Sequence, residues 1–156
     1  MDSVPFTKQG YDSLVEELNR LKTVERPKVI EEIAEARAHG DLKENAEYHA
    51  AREKQSFVEG RITMLDDQLA RANVIDFSGK NITKVQFGAW VKLEDQESGS
   101  ERSYRIVGDL EADIERNLIS VNSPIAKALL GKEVDDEIVA RVPKGEIKCY
   151  ITSIEY

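Results

Sequence analysis

Two stretches in the first half of the chain decide the fold, namely YDSLVEELNRLKTV (residues 11–24) and FVEGRITMLDDQLARA (residues 57–72). Apolar residues in the first stretch recur every three or four positions, at Tyr11, Leu14, Leu18, Leu21 and Val24. In the second stretch the same spacing follows Phe57 after one gap, at Ile62, Leu65, Leu69 and Ala72. This spacing places apolar side chains on one face of an α-helix, so the pattern predicts two amphipathic helices.

The two helices are predicted to pack against each other as an antiparallel hairpin. In such a hairpin the position numbers of facing residues add up to a constant. The constant is 86 or 87 for the pairs Tyr11–Ile75, Leu18–Leu69, Val24–Ile62 and Ile30–Phe57. Half of that constant is about 43, so the apex is expected between Asp41 and Glu44.

Three residues predict where these helices begin, bend and end. Thr7 is a candidate N-cap of the first helix, and Gly40 suits the position just past a helix end. Pro27 has no N–H to donate, which predicts either a kink or a helix that restarts with Pro27 in its first position. At about 1.5 Å per residue, roughly 30 residues in each helix would make an arm about 45 Å long.

The second half has the pattern of short strands. They are predicted at 85–95, 101–108, 117–121, 136–142 and 146–156, where β-branched residues cluster or alternate with polar ones. The segment SPIAKALLG predicts one short helix with Ser123 as N-cap, Pro124 in the first position and Gly131 just past the end. The expected class is α+β, with a helical hairpin in residues 1–75, a turn-rich linker in 76–82 and a domain with an antiparallel sheet in 83–156.

Composition limits the function classes. Lys and Arg number 22 and Asp and Glu 30, and a net charge of −8 is unfavourable for general binding to duplex DNA or RNA. The single cysteine, Cys149, excludes an internal disulfide and a cysteine metal cluster. No stretch is apolar enough for a signal peptide or a membrane helix. A cytoplasmic protein is therefore expected.

The predicted apex carries two carboxylates three residues apart, Asp41 and Glu44. One interpretation is a capping box, in which Asp41 caps the second helix and Glu44 occupies its N3 position. The other is that the acids lie exposed at the tip and lend two oxygens to a Mg²⁺ ion whose remaining ligands belong to a partner. The spacing alone leaves both interpretations open.

Other side chains near the apex also have two interpretations. Arg37 and Arg52 are predicted at nearly the same height on opposite helices, either to hold a single-stranded phosphate backbone or to pair with acids on a solvated face. His39 and His49 have no firm third ligand for zinc beyond Asp41, so solvated or capping histidines are expected. Tyr48 suits either stacking on a base or helix packing.

The segment ERPKVIEEIAEARAHGDLKENAEYHAAREKQSFVEGRI (25–62) closely resembles the bacterial transcript cleavage factors of the Gre family. The resemblance continues through YRIVGDLEAD (104–113) and NLISVNSPIAKALLGKEVDDEIV (117–139) and covers essentially the whole chain. It implies an N-terminal antiparallel coiled coil and a C-terminal FKBP-like α+β domain. Length, acidic balance and a small basic patch favour one of the family's two branches.

The resemblance also implies a partner and a reaction. Family members bind bacterial RNA polymerase with the C-terminal domain, insert the coiled coil into the secondary channel and stimulate the polymerase to cleave the 3′ end of backtracked RNA. Asp41 and Glu44 match the acids that share Mg²⁺ with the polymerase, and Arg37 and Arg52 match the basic patch near the RNA. The factor is not expected to be an enzyme alone or to bind a cofactor alone. The polymerase contact is placed only within residues 109–131.

Two other functions are compatible with parts of the sequence. An FKBP-like domain suggests a prolyl isomerase, but most aromatic residues of this domain fall in strand patterns that core packing explains. A factor that only blocks the channel would have an altered, more acidic tip, whereas this chain keeps DLKE at residues 41–44.

Overall fold

The structure is a computed structural model that describes residues 2–40 and 43–156. The chain forms two compact units, Met1–Asp2 with Tyr11–Ala72 and Ser3–Gly10 with Asn73–Tyr156. The second unit therefore includes a segment from the start of the chain, residues 3–10, that the sequence analysis assigned to the arm. Residue composition along the chain does not reveal that segments from both ends of the sequence belong to one compact unit.

The first unit is a hairpin of helices. Its first arm comprises α1 (Lys8–Arg20), a π-helical segment (Leu21–Glu25) and α2 (Arg26–Ala38). Its second arm is α3 (Ala46–Ala70), whose 25 residues make a helix about 37 Å long.

The π-helical segment is the structural response to Pro27. This proline lies in the first turn of α2, where its missing N–H removes a helical hydrogen bond. The preceding turn is widened instead, and the N–H of Arg26 donates to the carbonyl of Leu21, five residues back. The backbone stays helical at Glu25 and Arg26, so the helix widens and does not restart with Pro27 in its first position. The wide turn adds one residue, so that eight positions and not seven separate Leu21 from Val29 in the apolar stripe of this arm.

The added residue places Val29 and not Ile30 in the seam between α2 and α3. On α3, Val58 lies one turn before Ile62 and takes the place that was assigned to Phe57. The buried side chains of the seam are Val29, Ile33, Ala51, Val58 and Ile62, with Leu18, Leu21 and Tyr48 packed against them. The predicted seam residues Val24, Ile30 and Phe57 are 52%, 52% and 76% exposed, so these assignments are wrong. Ile75 is also misassigned, because α3 ends at Ala70 and Ile75 packs against the core of the second unit.

The second unit is built on a five-stranded sheet with the order β5-β4-β3-β7-β6. Its strands are β3 (Trp90–Asp95), β4 (Glu101–Val107), β5 (Leu118–Ser120), β6 (Glu137–Val142) and β7 (Gly145–Glu155). All five lie within or next to the predicted ranges. The prediction of one short helix is also confirmed, since α4 spans Pro124–Leu129.

The prediction of an antiparallel sheet is wrong for one pair of strands, because β5 pairs with β4 in parallel. The connection between these strands runs through two 3₁₀ turns, Asp109–Glu111 and Ile114–Arg116. That connection returns the chain to the end at which β4 began, which a tight hairpin cannot do. Helix α4 packs against β6 and β5. Its Leu129 joins a core that includes Ile106 and Ile119 of the sheet.

The segment from the start of the chain is fixed to the second unit in two ways. Strand β1 (Val4–Phe6) pairs with β2 (Ala72–Val74), and the two strands form a separate small sheet. Thr7 caps α1 as predicted, accepting from the N–H of Gly10 at 3.0 Å. The Glu111 carboxylate accepts from the N–H and hydroxyl of Thr7 and from the N–H of Gly108.

Candidate functional site: the hairpin apex

The two arms of the hairpin end on either side of the segment in which the apex was predicted. Helix α2 ends at Ala38 with His39 as C-cap, and α3 begins at Ala46 with Asn45 as N-cap. Gly40 follows the C-cap with φ of +127°, a conformation that glycine adopts without strain. Asp41 lies outside the described residues.

Glu44 is exposed and lies just before the N-cap of α3. A capping box would require Glu44 to be the third residue inside the helix, so that interpretation is wrong. The physical reason is that Asn45, and not Asp41, caps α3, because its side-chain oxygen accepts from the N–H of Tyr48 at 3.0 Å. Glu44 forms no ion pair or hydrogen bond with any residue in the described part of the chain. None of these described residues therefore competes for its oxygens as ligands.

Asn45 is the residue of the apex that the sequence analysis missed. Its side chain bonds to both helices, since the amide nitrogen also donates to the carbonyl of Ala36 at 2.5 Å. An asparagine directly before a helix is a standard N-cap signal. The spacing of Asp41 and Glu44 suggested a capping box, and in that interpretation Asp41 is the cap.

The predicted basic residues lie on one side of the hairpin. The guanidinium carbon of Arg37 lies 5.7 Å from the centre of the half-buried Tyr48 ring, a cation–π contact across the two helices. Arg52 is exposed and lies one helical turn beyond Tyr48, on the same face of α3. Among the described residues it has no ion-pair partner. In residues 2–40 and 43–156, no acid forms an ion pair with either guanidinium of this Arg37–Tyr48–Arg52 face.

The opposite side of the hairpin is acidic. A groove of about 340 Å³ between α2 and α3 is lined by Glu32, Glu35 and Glu47 among others. The amino group of Lys54 in this groove lies 3.4 Å from a carboxylate oxygen of Glu32. Among the described residues near the apex, acids predominate in this groove, and the Arg37–Tyr48–Arg52 face is the side suited to an anion.

Of the two histidines near the apex, one contacts a backbone carbonyl and a neighbouring ring, and the other is exposed. His49 Nε2 lies 3.1 Å from the carbonyl oxygen of Lys43, and its ring meets that of Tyr48 edge-on at 5.6 Å. His39 is exposed at the end of α2. Over residues 2–40 and 43–156, no three His, Cys, Asp or Glu side chains form a group that could hold a metal ion.

The segment predicted to contact the polymerase has a hydrogen-bonded polar loop and an exposed apolar side chain. The Asp109 carboxylate accepts from the Ser120 hydroxyl and from the amide nitrogen of Asn122. Ile114, on the second 3₁₀ turn, is 70% exposed. Ser123 caps α4 by accepting from the N–H of Ala126.

No helix in the described part of the chain combines the length and the apolar character that crossing a membrane requires.

Comparison with known proteins relates both units to one family. The family model described as "Transcription elongation factor, N-terminal" matches residues 4–74, and "Transcription elongation factor, GreA/GreB, C-term" matches residues 80–156. The chain is 57% identical to the transcription elongation factor GreA of Alkalilimnicola ehrlichii and 55% to that of Yersinia pestis. In each case the alignment covers 100% of this chain and 99% of the relative.

A solved structure of the GreA factor homologue Gfh1 of Thermus thermophilus is 30% identical, with a TM-score of 0.45 over 99% of both chains. The relatives carry the GreA name. Length, acidic balance and the small basic patch had favoured this branch of the family over GreB. With both halves matched and identities well above half over its full length, this chain belongs to the GreA/GreB family of transcription elongation factors, whose role is to stimulate transcript cleavage.

Proposed function

We propose that this chain docks on RNA polymerase with its C-terminal unit and inserts the hairpin into the secondary channel. There it stimulates the polymerase's own Mg²⁺-dependent cleavage of the 3′ end of backtracked RNA. The observation that carries the proposal is the state of Glu44, a carboxylate outside both helices that is exposed and unpaired among the described residues. The chain is proposed to act on the polymerase and not as an enzyme alone.

The tip residues fit a shared magnesium ion. Carboxylate oxygens are ligands that Mg²⁺ prefers, but the ion requires near-octahedral coordination by six oxygens. Asp41 and Glu44 can supply only part of that set, so the polymerase would supply the rest. When bound, the ion supplies activation of water and stabilisation of in-line displacement at phosphorus.

The Arg37–Tyr48–Arg52 face is proposed to hold the displaced RNA. Guanidinium groups bind phosphate oxygens, and an aromatic side chain offers a stacking surface for a base. Because Tyr48 is half-buried beneath Arg37, its part is to support the guanidinium at the surface. Holding the RNA on this side would orient the scissile phosphate toward the tip acids.

Docking is assigned to residues 109–131. The hydrogen bonds among Asp109, Ser120 and Asn122 hold this loop in one conformation before binding, which lowers the entropy cost of association. Ile114 offers exposed apolar surface within the same segment. A docked second unit raises the local concentration of the hairpin at the channel.

The test is RNA cleavage in stalled, backtracked elongation complexes, with and without the protein. Asp41→Asn and Glu44→Gln should each abolish the stimulation, whereas polymerase binding should stay largely unchanged. Glu47→Gln is the matched control, because it neutralises an exposed glutamate in the first turn of α3 and should leave the rate within about twofold.

Two results would contradict the proposal. Wild-type stimulation in both tip variants would show that the acids are not ligands. An equal loss in Glu47→Gln would show that the overall charge of the tip matters and not two particular carboxylates.

A further inference from the structure

Asn45 uses its whole side chain to join the two helices of the hairpin at the apex. Its Oδ1 accepts from the N–H of Tyr48 at 3.0 Å, and its Nδ2 donates to the carbonyl of Ala36 at 2.5 Å. Ala36 is 3% exposed and lies in the last turn of α2, so the acceptor belongs to the packed end of that helix. The link connects residues nine positions apart across the loop that carries the tip acids.

An N-cap alone does not require this arrangement. Capping needs only an acceptor, which serine or aspartate provides about as well as asparagine. The second bond needs a donor as well, and it must reach the neighbouring helix. An amide side chain has both, whereas an ionised carboxylate has no donor and a serine hydroxyl is shorter. The choice of asparagine is thus explained by the contact with Ala36 and not by the cap.

We infer that Asn45 is a positioning residue for the cleavage reaction, which fixes the place of Glu44 by tying the start of α3 to the end of α2. The inference rests on the proposed function, because it assigns Asn45 a part only through the carboxylate beside it. Glu44 directly precedes Asn45 and has no bond of its own to any described residue. Among the described residues, the side-chain bonds nearest to Glu44 that can fix its position are therefore those of Asn45.

The consequence for the reaction follows from the precision that ligands require. A carboxylate shared with a metal must be held near its productive position, and misplacement by about 1 Å can cost about 100-fold in rate. With the Ala36 bond lost, the cap on α3 remains, but the two helix ends can move relative to each other. Maximal cleavage should then fall while docking, which involves the other unit, is unaffected.

The experiment compares two variants that keep the cap and lose the link. Asn45→Asp retains the shape and the acceptor but has no donor for the Ala36 carbonyl. Asn45→Ser retains an acceptor without adding charge. Thr63→Ala is the matched control, since it removes another side-chain bond to a backbone carbonyl, Thr63 Oγ1 to Glu59 at 3.0 Å, on the same helix.

Two quantities are measured on each protein. The first is the NMR order parameter of the Glu44 amide in the free factor, which we expect to fall from about 0.85 to below about 0.6 in both Asn45 variants. The second is the cleavage rate as a function of factor concentration. The maximal rate should fall roughly 10-fold, and the half-saturating concentration should stay within about twofold.

The outcomes separate this inference from the function on which it rests. Unchanged order parameters and maximal rates in the Asn45 variants, with Glu44→Gln inactive, would overturn the positioning role alone. Full activity in Glu44→Gln would overturn the proposed function. A loss in Thr63→Ala equal to that in Asn45→Ser would reduce Asn45 to a contributor to general hairpin stability and overturn the inference.

Discussion

Val58 and Phe57 are neighbours on α3 that test the packing of the hairpin. Val58 is 5% exposed in the seam between α2 and α3, whereas Phe57 is 76% exposed. A sequence-based assignment favours the larger phenylalanine as the seam residue. The structure predicts the reverse order of effects when each is replaced by alanine.

The magnitudes follow from burial. Val58→Ala removes the equivalent of two buried methyl groups, at about 0.8 kcal/mol each, and leaves a cavity that adds to the loss. The expected destabilisation is about 2 kcal/mol. Phe57→Ala removes a ring of which only about a quarter is buried, from a full value of about 1.5–3 kcal/mol, so about 0.5 kcal/mol is expected.

Thermal unfolding followed by far-ultraviolet circular dichroism measures this difference, because most helical residues lie in the hairpin. For a unit of this size about 1 kcal/mol lowers the midpoint by roughly 4–8 °C. Val58→Ala should therefore lower it by roughly 8–16 °C and Phe57→Ala by roughly 4 °C or less. If Phe57→Ala were as destabilising as Val58→Ala, the assignment of Val58 and not Phe57 to the seam would be refuted.

Three further predictions concern the basic face, an ion pair and the cysteine. Arg37→Ala and Arg52→Ala should weaken cleavage less than the tip variants do, most strongly at low salt, and an equal loss at every salt concentration would indicate helix packing instead. The hydrogen bond from Arg26 lowers the pKa of the Glu59 carboxyl, so the pair stabilises the hairpin above the ordinary carboxyl pKa and this contribution disappears as pH falls through the lowered pKa. The midpoint difference between wild type and Glu59→Gln, measured against pH, should accordingly shrink in acid. Burial raises the pKa of the Cys149 thiol, so a chromogenic disulfide reagent should react with it only as fast as the protein unfolds.

Local signals in the sequence predicted the features that depend on local chemistry. The capped helix that begins after Ser123 and ends before Gly131 follows from the preferences of those residue types. The same holds for the helix end at Gly40 and the cap at Thr7. The position of the apex was also predicted, because it depends on the average of many apolar positions and not on any one of them.

The features that were missed depend on contacts between distant segments. The wide turn before Pro27 shifted the apolar stripe of the first arm by one residue, which exposed Ile30. The pairing of β1 with β2 joins strands of three residues, too short to show alternation. At the apex, residue types predicted the exposed acid Glu44, but the bond from Asn45 to Ala36 spans two helices and has no sequence pattern.

The most direct test of the central claim is photocrosslinking from the RNA to the factor. A photoreactive base is placed at the 3′ end of the RNA in a backtracked elongation complex, the factor is added, and the crosslinked peptide is identified. We predict crosslinks within residues 37–52, at the apex and the Arg37–Tyr48–Arg52 face. Crosslinks confined to residues 76–156, or none in a complex whose cleavage the factor stimulates, would contradict the central claim.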